Sequence, residues 1–302
     1  MICVTRDNSA AARRRRCVAG LSRRRWRLRA GVAMLAALLL APAAAAADLD
    51  DSILRGSFSD MFSSKSYSRW DGVNFGVQLG LISMDTDFGN STSQLVAYIL
   101  RNSTLESEAS PSSWTALPHN ITNSRNYGAF LGYSMQWEQL VLGLDAAYNR
   151  ASSLDASASD SLTRQVTTSD GVTHDVTIAA QSTMKLVDYA TLRMRAGYAV
   201  GQFLPYGFVG GAVGRFNYTS SATVTSLETP PAPDVSFIFG PITQSNNKDN
   251  AVVGGFTVGL GMDVALLPNV FVRGEWEFVG FAPVNGIRSA INTGRVALGV
   301  KF

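Results

Sequence analysis

Val296-Ala297-Leu298-Gly299-Val300-Lys301-Phe302 closes the sequence as a strict alternation. Apolar side chains occupy 296, 298, 300 and 302, while small or charged ones occupy 297, 299 and 301. A period of two marks a strand with one oily face. Left as an open edge, such a strand invites aggregation. Paired into the wall of a transmembrane β-barrel, it turns that face to lipid and satisfies its backbone. The stretch therefore predicts a membrane-spanning strand, and the rest of the chain is read for more of them.

Eight segments carry the alternation at about the ten residues that a tilted barrel strand needs. They are expected over 71–83, 125–136, 140–149, 186–199, 203–215, 252–265, 270–279 and 291–302. On the first, Val73, Phe75, Val77, Leu79 and Leu81 face outward, and Gly72, Asn74, Gly76, Gln78 and Gly80 face inward. Leu192 and Met194 face outward on the fourth, and Leu204, Tyr206, Phe208 and Ala212 on the fifth. The connections alternate between a few residues (137–139, 200–202, 266–269) and longer loops (84–124, 150–185, 216–251, 280–290). Short turns on one side and long loops on the other form the outer-membrane pattern. Thr167 to Thr173, with Asp170-Gly171 at its tip, is a hairpin signal that should carry strands three and four above the bilayer. The expected fold is thus all-β: an eight-stranded antiparallel up-and-down transmembrane β-barrel with long external loops. Ten strands is the competing count.

The aromatics at the expected strand ends suggest two interfacial girdles. Trp70, Tyr133, Trp137, Tyr198 and Phe302 would form one, and Tyr127, Tyr148, Tyr189 and Trp276 the other.

The same parity sends charge inward. Asp145, Arg193, Arg195, Asp263, Arg273, Glu275, Glu277, Arg295 and Lys301 all fall on the inward side of their segments. An eight-strand barrel is just wide enough for side chains to fill. Four acids and five bases in that space predict a self-neutralising structural network, with an ion pathway as the alternative. Glycines at 72, 76 and 80 share the inward face, where a small side chain leaves room. Gly207, Gly210, Gly211 and Gly214 suggest close packing or bends.

No catalytic residue, metal site or cofactor is expected. There is no complete nucleotide-binding glycine motif, no H-E-x-x-H and no G-x-S-x-G. The histidines His119 and His174 each fall in an expected loop, His174 beside Asp175 and Ser169 near a hairpin tip, where exposed polar residues are ordinary.

Residues 1–29 hold ten arginines and one acid, and 30–47 are almost wholly apolar up to Ala45-Ala46-Ala47. This is the pattern of a secretory signal peptide with an A-x-A cleavage site. The expected organisation is a signal peptide (1–47), a short periplasmic segment (48–69) and the barrel (70–302). Of 26 basic and 23 acidic residues, 16 and 22 remain in 48–302, so the net charge there is −6 rather than +3. The basic balance belongs to the signal and gives no reason to expect nucleic-acid binding. Cys3 and Cys17 also lie in the signal, which leaves no thiol afterwards.

Trp70-Asp71-Gly72-Val73-Asn74-Phe75-Gly76-Val77-Gln78-Leu79-Gly80 resembles the opening strand of the small outer-membrane β-barrels of alphaproteobacteria, in the opacity-protein-like and OmpA-like barrel superfamily. Asn126 to Tyr133 adds to the resemblance, with Phe75 replacing the family's usual Tyr. Leu298, Val300 and Phe302 resemble the terminal signal by which such barrels are assembled. The resemblance implies the bacterial outer membrane as location. It implies barrel-assembly machinery, outer-membrane lipid and lipopolysaccharide as partners, and an extracellular ligand taken by the loops. It supplies no catalytic residues. The leading functional expectation is a non-enzymatic envelope protein with a side-chain-filled lumen. A narrow porin and a lipid-modifying enzyme are the alternatives.

Overall fold

The alternation that marks the strands runs well past their expected ends. The computed structural model describes residues 69–302; the expected signal peptide and residues 48–68 lie outside the described residues. The strands are β1 (Gly72–Asp87), β2 (Asn120–Trp137), β3 (Leu140–Ala151), β4 (Asp155–Thr167), β5 (Thr173–Tyr198), β6 (Phe203–Thr229), β7 (Phe237–Leu267), β8 (Val270–Phe281) and β9 (Arg288–Lys301). Each is antiparallel to its neighbours. The pairing β1–β2–β3–β5–β6–β7–β8–β9 returns to β1 and closes a ring of eight positions. β4 adds no ninth position, because it continues β3 along the same edge of β5. β3 pairs with residues 188–198 and β4 with residues 173–185. The chain folds as an eight-stranded antiparallel up-and-down barrel. Closure is made by β1 against β9, with Gly80 opposite Arg295, the Phe302 amide donating to the Val73 carbonyl at 2.9 Å, and Phe302 stacked on Phe75.

The long external loops need correction. β5, β6 and β7 are 26, 27 and 31 residues long. A span needs only about 9–11. Most of 150–185 and 216–251 is therefore strand that continues above the apolar band. These stretches keep the period of two, but Ser and Thr take the outer positions. Cross-strand hydroxyl pairs line that surface: Thr163–Thr177 at 2.9 Å, Thr167–Thr173 at 3.0 Å and Thr223–Thr243 at 2.8 Å. The Thr167–Thr173 hairpin turns where expected, with Gly171 at φ +82° and the Thr168 amide bonded to the Val172 carbonyl.

The two zones are chemical opposites. In the lower zone Val77, Leu79, Leu192, Met194 and Leu260 are exposed on the outside, and charges lie inside. In the upper zone the inside carries Val176, Ile178, Ala222 and Val224, and the outside is polar. β5 makes this change with a bulge: between Leu186 and Asp188 one extra residue, Val187, interrupts the register against β6. A one-residue insertion flips every later side chain to the other face. Even positions 176 to 186 point in above the bulge, and odd positions 191 to 195 point in below it. The outer face below the bulge faces lipid, where arginine costs about 2–4 kcal/mol at mid-depth. Leu192→Arg should lower the unfolding free energy of the protein by about that amount. Thr183→Arg, outward on the same strand above the bulge, should change it by less than about 0.5 kcal/mol. Gel mobility across a urea series reads both, and equal losses would mean the bilayer reaches above the bulge.

Three further expectations are corrected. Leu204, Tyr206, Phe208 and Ala212 point inward on β6, where each is buried, while Val209 and Val213 face out. Hydrophobicity misplaces them because it does not register their uses inside: Tyr206 and Phe208 lie against interior guanidiniums, and Leu204 and Ala212 belong to the apolar layers. Trp70 and Tyr189 are not girdle residues. Trp70 is folded beneath the barrel against Phe271 and Tyr189 is turned inward just below the bulge, whereas the other seven aromatics are outward and exposed. Among the glycines, Gly210 and Gly214 are tightly packed as expected, but Gly211 faces open space.

The segment between β1 and β2 folds as a lid. It holds helix α1 (Ser93–Ile99), helix α2 (Thr104–Ala109) and a short 3-10 turn at Pro111–Ser113. Ser103 caps α2, its hydroxyl accepting from the Glu106 amide at 3.1 Å, in the S-x-x-E spacing of a capping box. Val96, Leu100 and Leu105 are buried against Val176, Ile178, Ala222 and Val224 of the upper strands.

Candidate functional site

The interior charges are placed by strand parity and given room by glycine. Gly132 lies opposite Asp145, Gly143 opposite Arg195, Gly210 opposite Arg193, Gly259 opposite Glu277, Gly261 opposite Glu275 and Gly80 opposite Arg295. A Cβ at Gly132 would stand 1.9 Å from the Asp145 carboxylate. Large charged side chains thus lie across the ladder from residues that have none.

Eight of the nine expected charges form one network of four arginines and four carboxylates, all nearly inaccessible to solvent. In its lower half Arg273 grips Asp263 with both Nε (2.8 Å) and Nη2 (2.9 Å), and its Nη1 donates to Asp145 at 3.1 Å. Arg195 reaches Asp263 at 3.1 Å and also donates to the Ser134 hydroxyl. In the upper half Arg295 donates to Glu275 (2.7 Å) and Glu277 (2.6 Å), and Arg193 to Glu275 at 3.0 Å. The halves are joined by Arg193–Asp145 at 3.7 Å and Arg273–Glu275 at 3.8 Å. Forked, charge-assisted bonds of this kind are the strong ones. Equal numbers of each sign leave the network neutral, the condition under which buried charge is tolerated. Lys301 lies apart at the short-turn end, donating to the Arg69 carbonyl at 2.7 Å and standing 4.2 Å above the Trp70 ring.

Several participants carry no charge and are not evident from charge patterning. Tyr206 donates its hydroxyl to Glu275 at 2.6 Å, and Thr257 donates to Glu277 at 3.0 Å. Phe208 lies 4.4 Å beneath the Arg193 guanidinium, and Phe130 4.3 Å from that of Arg273. The available signal was register: β6 pairs with the arginine-bearing β5, so its inward aromatics meet those guanidiniums. Leu298, Val300 and Phe302 lie on the outer face of the closing strand, Phe302 the most exposed.

Apolar layers lie on both sides of the network. Trp70, Phe130, Leu204 and Phe271 belong to the layer at the short-turn end. Ile82, Met84, Phe88, Phe216, Phe281 and Ile291 fill the other side, under the lid. Along the axis the lumen therefore runs from aromatic floor to charge to aliphatic plug to lid.

His174 is not an exposed loop residue, as expected from the sequence, but a buried position on β5. Its Nε2 lies 3.0 Å from the Thr168 hydroxyl, which also donates to Asp170 at 2.5 Å, and its Nδ1 lies 3.6 Å from Glu228. A hydroxyl has one proton. With that proton given to Asp170, the oxygen accepts from the His174 Nε2–H, so the imidazole acts as donor rather than base toward Thr168. The same bond holds the Asp170 carboxyl below its ordinary range. The arrangement closes a hairpin and does not activate a nucleophile. Among the described residues no group of acidic, histidine or cysteine side chains is arranged to hold a metal ion.

Solved structures that resemble this chain include Ail, the attachment invasion locus protein of Yersinia pestis, at 9% identity and TM-score 0.30, covering 76% of this chain and 99% of that one. Neisserial surface protein A aligns at 10% identity and TM-score 0.32, covering 77% of this chain and all of the other. OprG from Pseudomonas aeruginosa aligns at 11% identity and TM-score 0.31, covering 77% and 96%. No curated protein sequence matches the chain. The family profile for the outer membrane protein beta-barrel domain matches residues 33–302, which includes the whole ring and the lid. A closed eight-position ring with an apolar outer band, carried on a sequence that fits this profile over most of its length, places the chain in the outer membrane protein beta-barrel domain family.

Proposed function

We propose that this is a non-enzymatic envelope protein of the bacterial outer membrane, exported by its signal peptide, whose barrel is a solid post carrying a rigid surface head. The observation that carries this reading is the filling of the lumen: an aromatic floor, a neutral charge network, an aliphatic plug and a helical lid occupy successive levels. A solute passing through would have to break buried forked ion pairs and then cross a dry layer. Interaction with the outside falls to the head, whose hairpins are long, hydroxyl-covered and fixed by strand pairing. Assembly through Leu298, Val300 and Phe302 by the barrel-assembly machinery, and contact with lipopolysaccharide, belong to the same reading.

Conductance of the full-length protein in a planar bilayer tests it. Folding is verified first by a heat-dependent shift in gel mobility. A folded, electrically silent protein is expected. Reproducible conductance steps altered by Glu277→Gln would overturn the filled-lumen reading and make the interior charges the lining of a pore.

A further inference from the structure

The outer wall is not uniform. On the side formed by β2, β3, β5 and β6, a groove of about 640 Å³ opens toward lipid. Its floor is Ala129, Ala146, Ala190 and Gly211, with Leu131 and Leu192 standing beside it. At Gly211 the space a side chain would occupy is empty. A cationic belt crosses the top of this groove. Arg150 lies one outward position above Tyr148 on β3, and Arg125 one outward position above Tyr127 on β2. Both are exposed and neither makes an ion pair among the described residues; Asp188, opposite Arg150 across the ladder, is turned to Arg215. Arg215 stands in the same row on β6 and is half-exposed, although it is held by Asp188, which also accepts from the Tyr148 hydroxyl at 3.0 Å.

Directly above the belt, on β4, β5 and β6, is a second concavity of about 340 Å³ with a different character. It is lined by Ser157, Thr183, Asn217 and Thr219, together with Lys185 and Asp155, which pair at 3.4 Å. Across the barrel the rim carries both signs: at the corresponding level β1 turns out Asp85, which is paired with His119, and Asp87, which lies opposite Arg288. Apolar groove, cations and hydroxyl-rich concavity therefore follow one another on one side only.

We propose that this face is a binding site for one phosphorylated, acylated glycolipid of the outer leaflet. An acyl chain occupies the groove, a phosphate sits between Arg125 and Arg150, and the sugar part meets the hydroxyls and amide above. Guanidinium and phosphate match in charge and in planar, forked geometry. An interfacial arginine on any barrel can extend its head to the surface. Here two without ion pairs stand over the groove, whereas the opposite rim sets Asp85 and Asp87 beside His119 and Arg288. The end of the barrel that carries the lid and long hairpins faces outward, which fixes the leaflet. The inference rests on the outer-membrane reading above, and it is independent of whether the lumen conducts, which the bilayer measurement decides separately.

Native mass spectrometry of the full-length protein tests it, with purified bisphosphorylated lipid A, the same lipid without phosphates, and phosphatidylglycerol as probes. One molecule of phosphorylated lipid A should be retained in preference to both others. Arg125→Gln and Arg150→Gln, made singly, should each lower that retention about tenfold, the consequence of losing one charge-assisted bond. Gly211→Leu should lower it as strongly by filling the groove without touching charge. Gly294→Leu, on β9 across the barrel where a side chain also meets nothing, should leave it unchanged. All variants are first checked for the heat-dependent mobility shift, and the groove and its control are both open positions. Equal retention by Gly211→Leu and Gly294→Leu, equal retention of phosphatidylglycerol, or a protein dimer in place of a lipid adduct would each overturn the proposal.

Discussion

Replacing Arg273 by methionine is expected to lower the unfolding free energy by about 3–5 kcal/mol, the cost of breaking a buried ion pair by removing one partner. Arg273 makes the network's one forked grip on a single carboxylate, Asp263, and also reaches Asp145 at 3.1 Å and Glu275 at 3.8 Å. Without it four carboxylates face three arginines, and one negative charge is left where water does not reach. Arg273→Lys keeps the charge but loses the fork and the flat guanidinium against Phe130, so it should fall between the two. The test of mechanism is compensation. Adding Asp263→Asn to Arg273→Met restores three of each sign and should recover more than half of the loss. The urea concentration at which half the protein loses its folded mobility reads all four forms. A double variant no more stable than Arg273→Met would mean that charge balance is not what the network supplies.

Deleting Val187 should prevent folding altogether. That residue is the bulge, and without it β5 has to alternate without interruption. Two arrangements are then open. The lower half can turn over, which sends Arg193 and Arg195 to lipid at about 2–4 kcal/mol each and strips their carboxylates of partners. Alternatively the upper half turns over, so that Val176 and Ile178 face water and Thr177 enters the lid's seat. The first alone approaches the whole stability of an ordinary domain, about 5–15 kcal/mol. Val187→Ala keeps the extra residue and should fold normally. The yield of heat-shifted protein after refolding separates the two variants. A deletion that refolds as well as Val187→Ala would show that the bulge does not set the faces.

The wall was legible in the sequence because lipid imposes a strong rule on it. Val73 to Leu81 alternate at full hydrophobic contrast, and no ordinary loop does that. The eight network charges were placed by the same parity. The upper strands were harder to read because contrast fades there: Thr177-Ile178-Ala179-Ala180 keeps the period, yet alanine and threonine fit a loop as well as a strand. Hydrophobicity alone turns the wrong face of β6 outward, because it counts Leu204, Tyr206 and Phe208 as oil. Beside an arginine an aromatic ring also serves as a soft counter-surface, and hydrophobicity does not record that use. Tyr189 was misplaced by its position relative to a bulge, which no local pattern announces. The lid was hidden for a different reason. Its helices are short, and what holds them is distant in sequence.

That distance has a kinetic consequence. Val96 and Leu100 rest on Val176, Ile178, Ala222 and Val224, residues that follow them by some 75 to 130 positions. Between them the chain must lay down β2, β3 and β4 before the first half of the seat exists. Contacts so far apart give no stabilisation until the loop-closure entropy of everything between has been met, and they slow folding accordingly. The lid's seat is complete once β6 is laid down, whereas β1 and β9 lie some 200 to 227 positions apart. By the same measure the upper chamber can dry before the wall closes, and the lid then holds β1 beside strands that are still waiting for their last neighbour.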